Sequence, residues 1–475
     1  MDYLGYVARS KSLVIAPAGY GKTYAIAECL KYTQGKQLVL THTHAGVASL
    51  KEKILNQRIA YTQYRIETIT SFAQKYVNAF YCGNDIPEQE NTQIYFPFII
   101  ERAINLFKIA PIREVIRASY SGLFVDEYQD CTIAQHNLIK ALAGILPTHI
   151  VGDYLQGIFD FTGDRLIDFE KDLDDFEKIP DLSEPWRWKK ENPNLGKSIK
   201  LIRDKLEKRE IIDLNIFKDS IEIIQANEND KYIYRSDYNS KIWALSNEGN
   251  VLIIHPDSTN INVRKEFTSR FNNAFYLVEA IDDKDFYKLS KEFDKISQND
   301  VYDKIYNLVP KIFNGTSNRD RWLGINGVKK KTSSNDKSII KPLIENIEKV
   351  KKQISFSCIS KTLKFIEELP KIKCYRKELL FDLCAALEKA EYKKISVLEA
   401  MKEVRNSKRR NGRKIYGKCI GTTLLTKGLE FQTVAILDAH NFKCRKNFYV
   451  AISRACKRLV IFTENKRLSP YFDDF

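Results

Sequence analysis

An apolar run, Ser12–Ala16, passes directly into Ala16-Pro17-Ala18-Gly19-Tyr20-Gly21-Lys22-Thr23 and then into a helical pattern. This loop constrains the chain more than any other feature. Gly19 and Gly21 allow the backbone to curl until its N–H groups face phosphate oxygens. Lys22 offers a point charge to β- and γ-phosphates, and Thr23 a hydroxyl to Mg²⁺. Such a loop works only where a buried strand hands over to a helix. The strict pattern has Gly where Ala16 stands.

The rest of the first 180 residues fits that demand. Gln37–Leu40, Gly122–Val125 and His149–Val151 read as buried strands, with helices expected over Thr23–Tyr32, Ala45–Leu55 and Ala134–Leu142. The alternation predicts an α/β fold with a parallel sheet. Strands are also expected at Asn250–His255, Phe275–Val278, Thr433–Leu437 and Leu459–Thr463, with a helix at Phe448–Lys457. The two sheets are expected to pack side by side.

Between the halves of the second region lies a basic, mostly helical stretch. Ile281–Ile420 holds 33 Lys+Arg against 19 Asp+Glu, nearly the whole +15 excess of the chain. That bias suits either solvated helix faces or a polyanionic partner. Nine cysteines, an odd number without C-x-x-C, read as reduced thiols in a cytoplasmic protein. No run of about 18 apolar residues predicts a membrane span.

Leu123-Phe124-Val125-Asp126-Glu127 is an apolar strand ending in two carboxylates. Asp126 is placed to hold Mg²⁺ with Thr23, and Glu127 to orient and deprotonate a water. Asp126-Glu127-Tyr128-Gln129-Asp130 resembles the D-E-x-Q-D signature of superfamily 1 helicases of the UvrD/Rep type. Val151-Gly152-Asp153-Tyr154-Leu155-Gln156-Gly157-Ile158-Phe159-Asp160-Phe161 resembles that family's next motif. The resemblance implies that Gln156 contacts the γ-phosphate and that Phe159 and Phe161 stack on bases of single-stranded DNA, a grip indifferent to sequence.

Further motifs follow in the family's order. Thr41-His42-Thr43-His44-Ala45 and Thr68-Ile69-Thr70-Ser71-Phe72 are similar to two DNA-contacting motifs, which marks His42, Thr43 and Ser71 as DNA contacts. Thr70 stands where the family has histidine. Pro185-Trp186-Arg187 matches N-Y-R, so Arg187 would reach the γ-phosphate while Trp186 and Tyr24 cover the two faces of the base. The family's upstream glutamine has no counterpart in Met1–Ser12, and stacking alone accepts adenine and guanine alike. Thr422-Thr423-Leu424-Leu425-Thr426-Lys427-Gly428-Leu429-Glu430-Phe431 resembles T-x-H-x-x-K-G-L-E-F, with Leu424 replacing histidine, Gly428 near phosphate and Glu430 on the ribose. Tyr449-Val450-Ala451-Ile452-Ser453-Arg454-Ala455 resembles V-x-x-[TS]-R-A and makes Arg454 the arginine finger.

The resemblance implies two RecA-like parallel-sheet P-loop domains with mostly helical insertions. Residues 1–75 and 118–180 form the first, with 76–117 inserted. Residues 181–280 and 414–475 form the second, with 281–413 inserted. It implies an ATP- and Mg²⁺-dependent helicase or translocase moving 3′ to 5′ on single-stranded or partly duplex DNA. The compact size resembles the helicase subunit of Gabija-type antiphage systems, so an OLD-family nuclease and bacterial antiviral defence are expected. A repair or replication-restart helicase acting alone, or a DNA-sensing ATPase that does not unwind, remain the alternatives.

Overall fold

The computed structural model describes residues 2–88, 91–158, 164–256, 261–279, 284–314, 316–331, 333–411, 415 and 417–472. Two parallel six-stranded sheets organise it, the arrangement expected of two RecA-like domains. The first holds β1 (Lys11–Ile15), β2 (Gln37–Thr41), β3 (Tyr64–Thr68), β4 (Gly122–Val125), β5 (Thr148–Gly152) and β6 (Glu177–Lys178), in the order β3-β2-β4-β5-β1-β6. Every residue of β2, β4 and β5 is buried. These strands read as continuous apolar runs because helices cover both faces of a parallel sheet.

Register decides what meets at the sheet edge. Ile15 lies opposite Gly152, Leu40 opposite Val125, and Val125 opposite Ile150. The chain therefore leaves β1, β4 and β5 side by side, all at their C-terminal ends. Helices start there with their own caps: left-handed Gly21 before Lys22–Cys29, Thr43 before His44–Asn56, and a Thr132/Gln135 capping box before Ile133–Ala143.

The second sheet holds β7 (Glu222–Gln225), β8 (Val251–Ile254), β9 (Tyr276–Leu277), β10 (Lys418–Gly421), β11 (Phe431–Ile436) and β12 (Ala455–Thr463), in the order β9-β10-β8-β11-β12-β7. Here the important edge is the N-terminal one. Phe431 at the start of β11 pairs with Ala455 at the start of β12, and Phe431 N–H donates to the Arg454 carbonyl at 3.0 Å. Glu430 and Arg454 therefore stand side by side.

The helix expected over Phe448–Lys457 runs instead over Arg445–Ile452. Pairing with β11 claims the chain from Ala455 onward, overriding the helical pattern. β3, β6, β7 and β10 were not expected. They are short, polar-bearing strands that gain their place from a neighbour more than from their own pattern.

Helices Ile69–Phe80, Thr92–Leu106 and Ala110–Ser119 share one apolar cluster with Leu13, Leu38 and Leu123 of the first sheet. The helices between β9 and β10, from Lys284–Asp294 to Val397–Asn411, enclose a core of their own that includes Phe286, Trp322, Leu363 and Leu383. None of the nine cysteines, all of them among the described residues, is in a disulfide. Among the described residues no helix is long and apolar enough to cross a membrane.

His149 illustrates how tightly the first sheet is packed. It is buried within β5, its Nδ1 lies 2.8 Å from Ser12 Oγ, and its ring centroid is 5.1 and 5.0 Å from those of Tyr6 and Phe124. Burial lowers its pKa to about 4. A folded-state pKa below the unfolded one gives stability that is present above pH 6.5 and lost as pH falls through 4. The loss attributable to this group is about 3 kcal/mol. Denaturant unfolding across that window should show a decline that His149→Gln flattens.

Candidate functional site

The loop leaving β1 ends at Lys22, whose Nζ lies 3.5 Å from Glu127 Oε2. Thr23 Oγ1 donates to Asp126 Oδ2 at 3.4 Å. A hydroxyl and a carboxylate so placed, beside a phosphate loop, form a hard-oxygen pair suited to Mg²⁺. Burial and the charge of Glu127 push Asp126 well up from the usual carboxylate range. Burial also opposes the charge of Glu127, but Lys22 and Lys427 outweigh it and hold its pKa down. Glu127 thus stays ionised, as a group that takes a proton from water must be.

Glu127 has a left-handed backbone, with φ of 54°, an uncommon conformation for a residue with a side chain. Its neighbours maintain it. Glu127 N–H donates to Asp126 Oδ1 at 2.9 Å, and Gln129 Nε2 donates to Glu127 Oε2. Gln129 Oε1 in turn accepts from Asp153 N–H at 2.9 Å, tying the ends of β4 and β5 together.

The second sheet brings the opposite charge. Arg454 is buried and its Nη2 lies 3.5 Å from Gln156 Oε1, across the junction between the two sheets. Its Nε donates to the Val450 carbonyl at 2.9 Å and its Nη2 to Ser453 Oγ at 2.9 Å. Burial and Arg187 bring its pKa down to about 10. Arg187 Nη2 is 2.6 Å from Glu430 Oε1, and its backbone N–H donates to the Gly19 carbonyl at 3.0 Å. The five residues read as catalytic, Lys22, Glu127, Gln156, Arg187 and Arg454, are therefore brought to the junction between the two sheets.

Tyr24 and Trp186 are the exposed pair beside it, at 42% and 54% exposure. A Cβ placed on Gly21 would lie 3.2 Å from Trp186 Cδ1 and 3.8 Å from Tyr24 Cβ. Both side chains therefore border the loop where a base would stack. Gly428 has φ of 80° and open space where a Cβ would point. Ala16, Pro17 and Ala18 form the ascending limb of the loop.

The expected DNA contacts are more dispersed. His42 Nε2 lies 3.3 Å from Cys131 Sγ, and burial with Lys427 nearby lowers its pKa to about 4. Thr43 Oγ1 is used as a helix cap, and Ser71 Oγ accepts from Thr68 Oγ1 at 2.7 Å. Phe159 and Phe161 lie outside the described residues.

The structure adds residues to which the sequence reading gave no role. Lys427 Nζ crosses from the second unit to Asp130, 2.5 and 2.7 Å from its two oxygens, and also donates to the Gln156 carbonyl. Asp130 and Lys427 both belong to quoted motifs. Nothing local in either signals that they meet.

Comparison with known proteins finds similarity to part of the chain. Residues 77–177 match the UvrD/REP helicase N-terminal domain. That stretch includes Asp126-Glu127 and Gln156 but not the loop at Lys22. The chain is 31% identical over 115 residues to the ATP-dependent DNA helicase PcrA of Staphylococcus aureus (strain Mu50), covering 23% of this chain and 16% of that protein. It is 31% identical over 113 residues, with the same coverage, to PcrA of Staphylococcus epidermidis. Among solved structures it is similar to the arterivirus nonstructural protein 10 helicase in complex with DNA, at TM-score 0.36 and 10% identity, over 97% of this chain and 62% of that one.

The buried Lys427–Asp130 pair should behave as desolvated ion pairs do. Burial pushes Asp130 up to about 6 and Lys427 down from its usual value, so desolvation outweighs attraction. Lys427→Met, which strands the Asp130 charge, should cost about 3–5 kcal/mol of stability. The double variant Lys427→Met/Asp130→Leu should recover most of it, as measured by denaturant unfolding of the three proteins.

Proposed function

We propose that the chain is an ATP-hydrolysing motor on single-stranded DNA, a helicase or translocase of the UvrD/Rep kind moving 3′ to 5′. One observation carries this reading. The C-terminal edge of one parallel sheet carries Lys22, Thr23, Asp126, Glu127 and Gln156, Glu430 and Arg454 stand at the N-terminal edge of the other with Arg187 paired to Glu430, and Arg454 Nη2 comes within 3.5 Å of Gln156 Oε1 across the junction. A triphosphate bound there is held from both sides, so its hydrolysis changes what holds the two units together.

Each group has a role in that reaction. The N–H groups of the loop and Lys22 hold the phosphates, and Glu127 orients and deprotonates the attacking water. Arg454 and Arg187 stabilise the charge that develops on the transferred phosphoryl group. Mg²⁺, held by Thr23 and Asp126, neutralises phosphate charge when bound. Tyr24 and Trp186 hold the base by stacking, and Glu430 the ribose. His42, Thr43 and Ser71 lie beyond the ends of β2 and β3, next to the nucleotide residues that follow β1, β4 and β5. DNA tracking across this sheet edge would touch both sets.

Lys22→Ala and Glu127→Gln should each lower DNA-stimulated ATP turnover by about 10²–10⁴-fold. Wild-type turnover in either variant overturns the nucleotide site, and a strand-displacement assay on the same samples separates unwinding from hydrolysis alone. A Gabija-type role in antiviral defence would make an OLD-family nuclease the first partner to test. The native chain should co-purify with it, whereas a monomer that opens duplex DNA unaided removes the need for that partner.

A further inference from the structure

The phosphate loop sits against its own sheet on one side only. On the other it is built into the second unit. Ala18 and Tyr20, both buried, belong to an apolar cluster whose remaining buried members, apart from Leu155, run from Trp188 to Tyr471. A Cβ on Gly19 would lie 2.8 Å from Trp188 and 2.9 Å from Arg187 Cβ. The tip of the loop is therefore packed on the Trp186–Lys189 helix of the second unit.

Polar contacts repeat the pattern. Ala18 N–H is shared between Asp153 Oδ2, at 3.1 Å, and the Tyr449 hydroxyl oxygen, at 3.0 Å. Tyr449 belongs to the Arg445–Ile452 helix of the second unit and is buried. Asp153, fully buried, also accepts from Gln156 Nε2 at 2.7 Å and from Arg203 Nη2 at 3.1 Å. Arg203 comes from the second unit's Pro193–Glu207 helix, and its guanidinium lies 5.4 and 5.8 Å from the Tyr154 and Tyr449 rings. One carboxylate thus holds a loop amide and Gln156, and its charge is met by an arginine from across the junction.

We infer that docking of the second unit shapes the phosphate loop, with Tyr449 and Asp153 as positioning residues for the Ala18 amide and Tyr20 as the apolar anchor. Nucleotide affinity and domain docking are then one linked equilibrium. Anything that loosens the junction weakens the phosphate site, and bound nucleotide tightens the junction by the same factor. The inference rests on the nucleotide reading of the loop, but it concerns the source of the loop's shape.

The two tyrosines make opposite demands, and this separates positioning from mere bulk. Among the described residues the buried Tyr20 hydroxyl has no hydrogen-bond partner, so its ring is what anchors the loop. The Tyr449 hydroxyl is in use, so its ring alone does not suffice. Tyr20→Phe should therefore bind Mg-ATP within about 2-fold of wild type. Tyr20→Ala should raise the Mg-ATP dissociation constant by about 5- to 150-fold, the span of ordinary coupling between linked sites. Tyr449→Phe should raise it by about 2- to 10-fold, the worth of one neutral hydrogen bond. In each weakened variant KM should rise while kcat at saturating ATP stays within about 2-fold.

Isothermal titration with Mg-ATP gives the constants. Hydrogen–deuterium exchange without nucleotide gives a second readout. Peptides spanning residues 16–23 should exchange faster in Tyr20→Ala and Tyr449→Phe but not in Tyr20→Phe. Unchanged exchange in the loop of both weakened variants overturns the inference, as does wild-type affinity in both. If the wild-type chain fails to bind Mg-ATP, the nucleotide reading falls, and the exchange data still decide whether docking shapes the loop.

Discussion

Lys427 and Arg203 cross from the second α/β unit and bury their charges against Asp130 and Asp153 of the first. The functional geometry depends on this exchange of charge. A buried carboxylate without a partner is costly, and so is a buried cation. With both present, all four charges are satisfied in the docked arrangement. In that arrangement Arg454 reaches Gln156, Tyr449 reaches Ala18 and Arg187 reaches Gly19. The charge pairs contribute register between the two units more than net stability.

The residues at the facing sheet edges inherit that constraint. Asp126 and Glu127 are adjacent carboxylates at the end of a fully buried strand, a position that neither could hold as a free anion. Lys22 and Lys427 keep Glu127 ionised, while burial and the charge of Glu127 push Asp126 up. Left-handed Glu127 is held by Asp126 and Gln129, so its carboxylate is fixed in place. Each sheet contributes half of the site, and neither half has balanced charge alone.

The helical segment between β9 and β10 stands apart in this respect. It has its own apolar core and a buried pair of its own, Arg405 Nη1 at 2.5 Å from Asp382 Oδ2. Its excess lysines project outward. On the Lys284–Asp294 helix, Phe286, Leu289 and Phe293 face the core, while Lys284, Lys288 and Lys291 are exposed. Both readings of its charge, a solvated surface and a polyanion-facing one, keep those lysines outside.

Much of this was legible in the chain itself. The strand-loop-helix around Lys22, the carboxylates after Leu123–Val125 and the order of the later motifs are local patterns, set by hydrophobic runs of strand length and by glycine at positions of positive φ. From them the sequence determined two parallel sheets and the loop that carries β1 into the Lys22–Cys29 helix. The tertiary structure alone decided how those residues meet. The 297 positions between Asp130 and Lys427, and the 431 between Ala18 and Tyr449, leave no periodicity to read. Short strands such as β3 and β10 exist because a neighbour pairs with them. Tyr20 sits between two glycines with nothing local to show that its ring is buried. Its place is fixed only when the second unit packs against the loop, because burial is a property of two surfaces together.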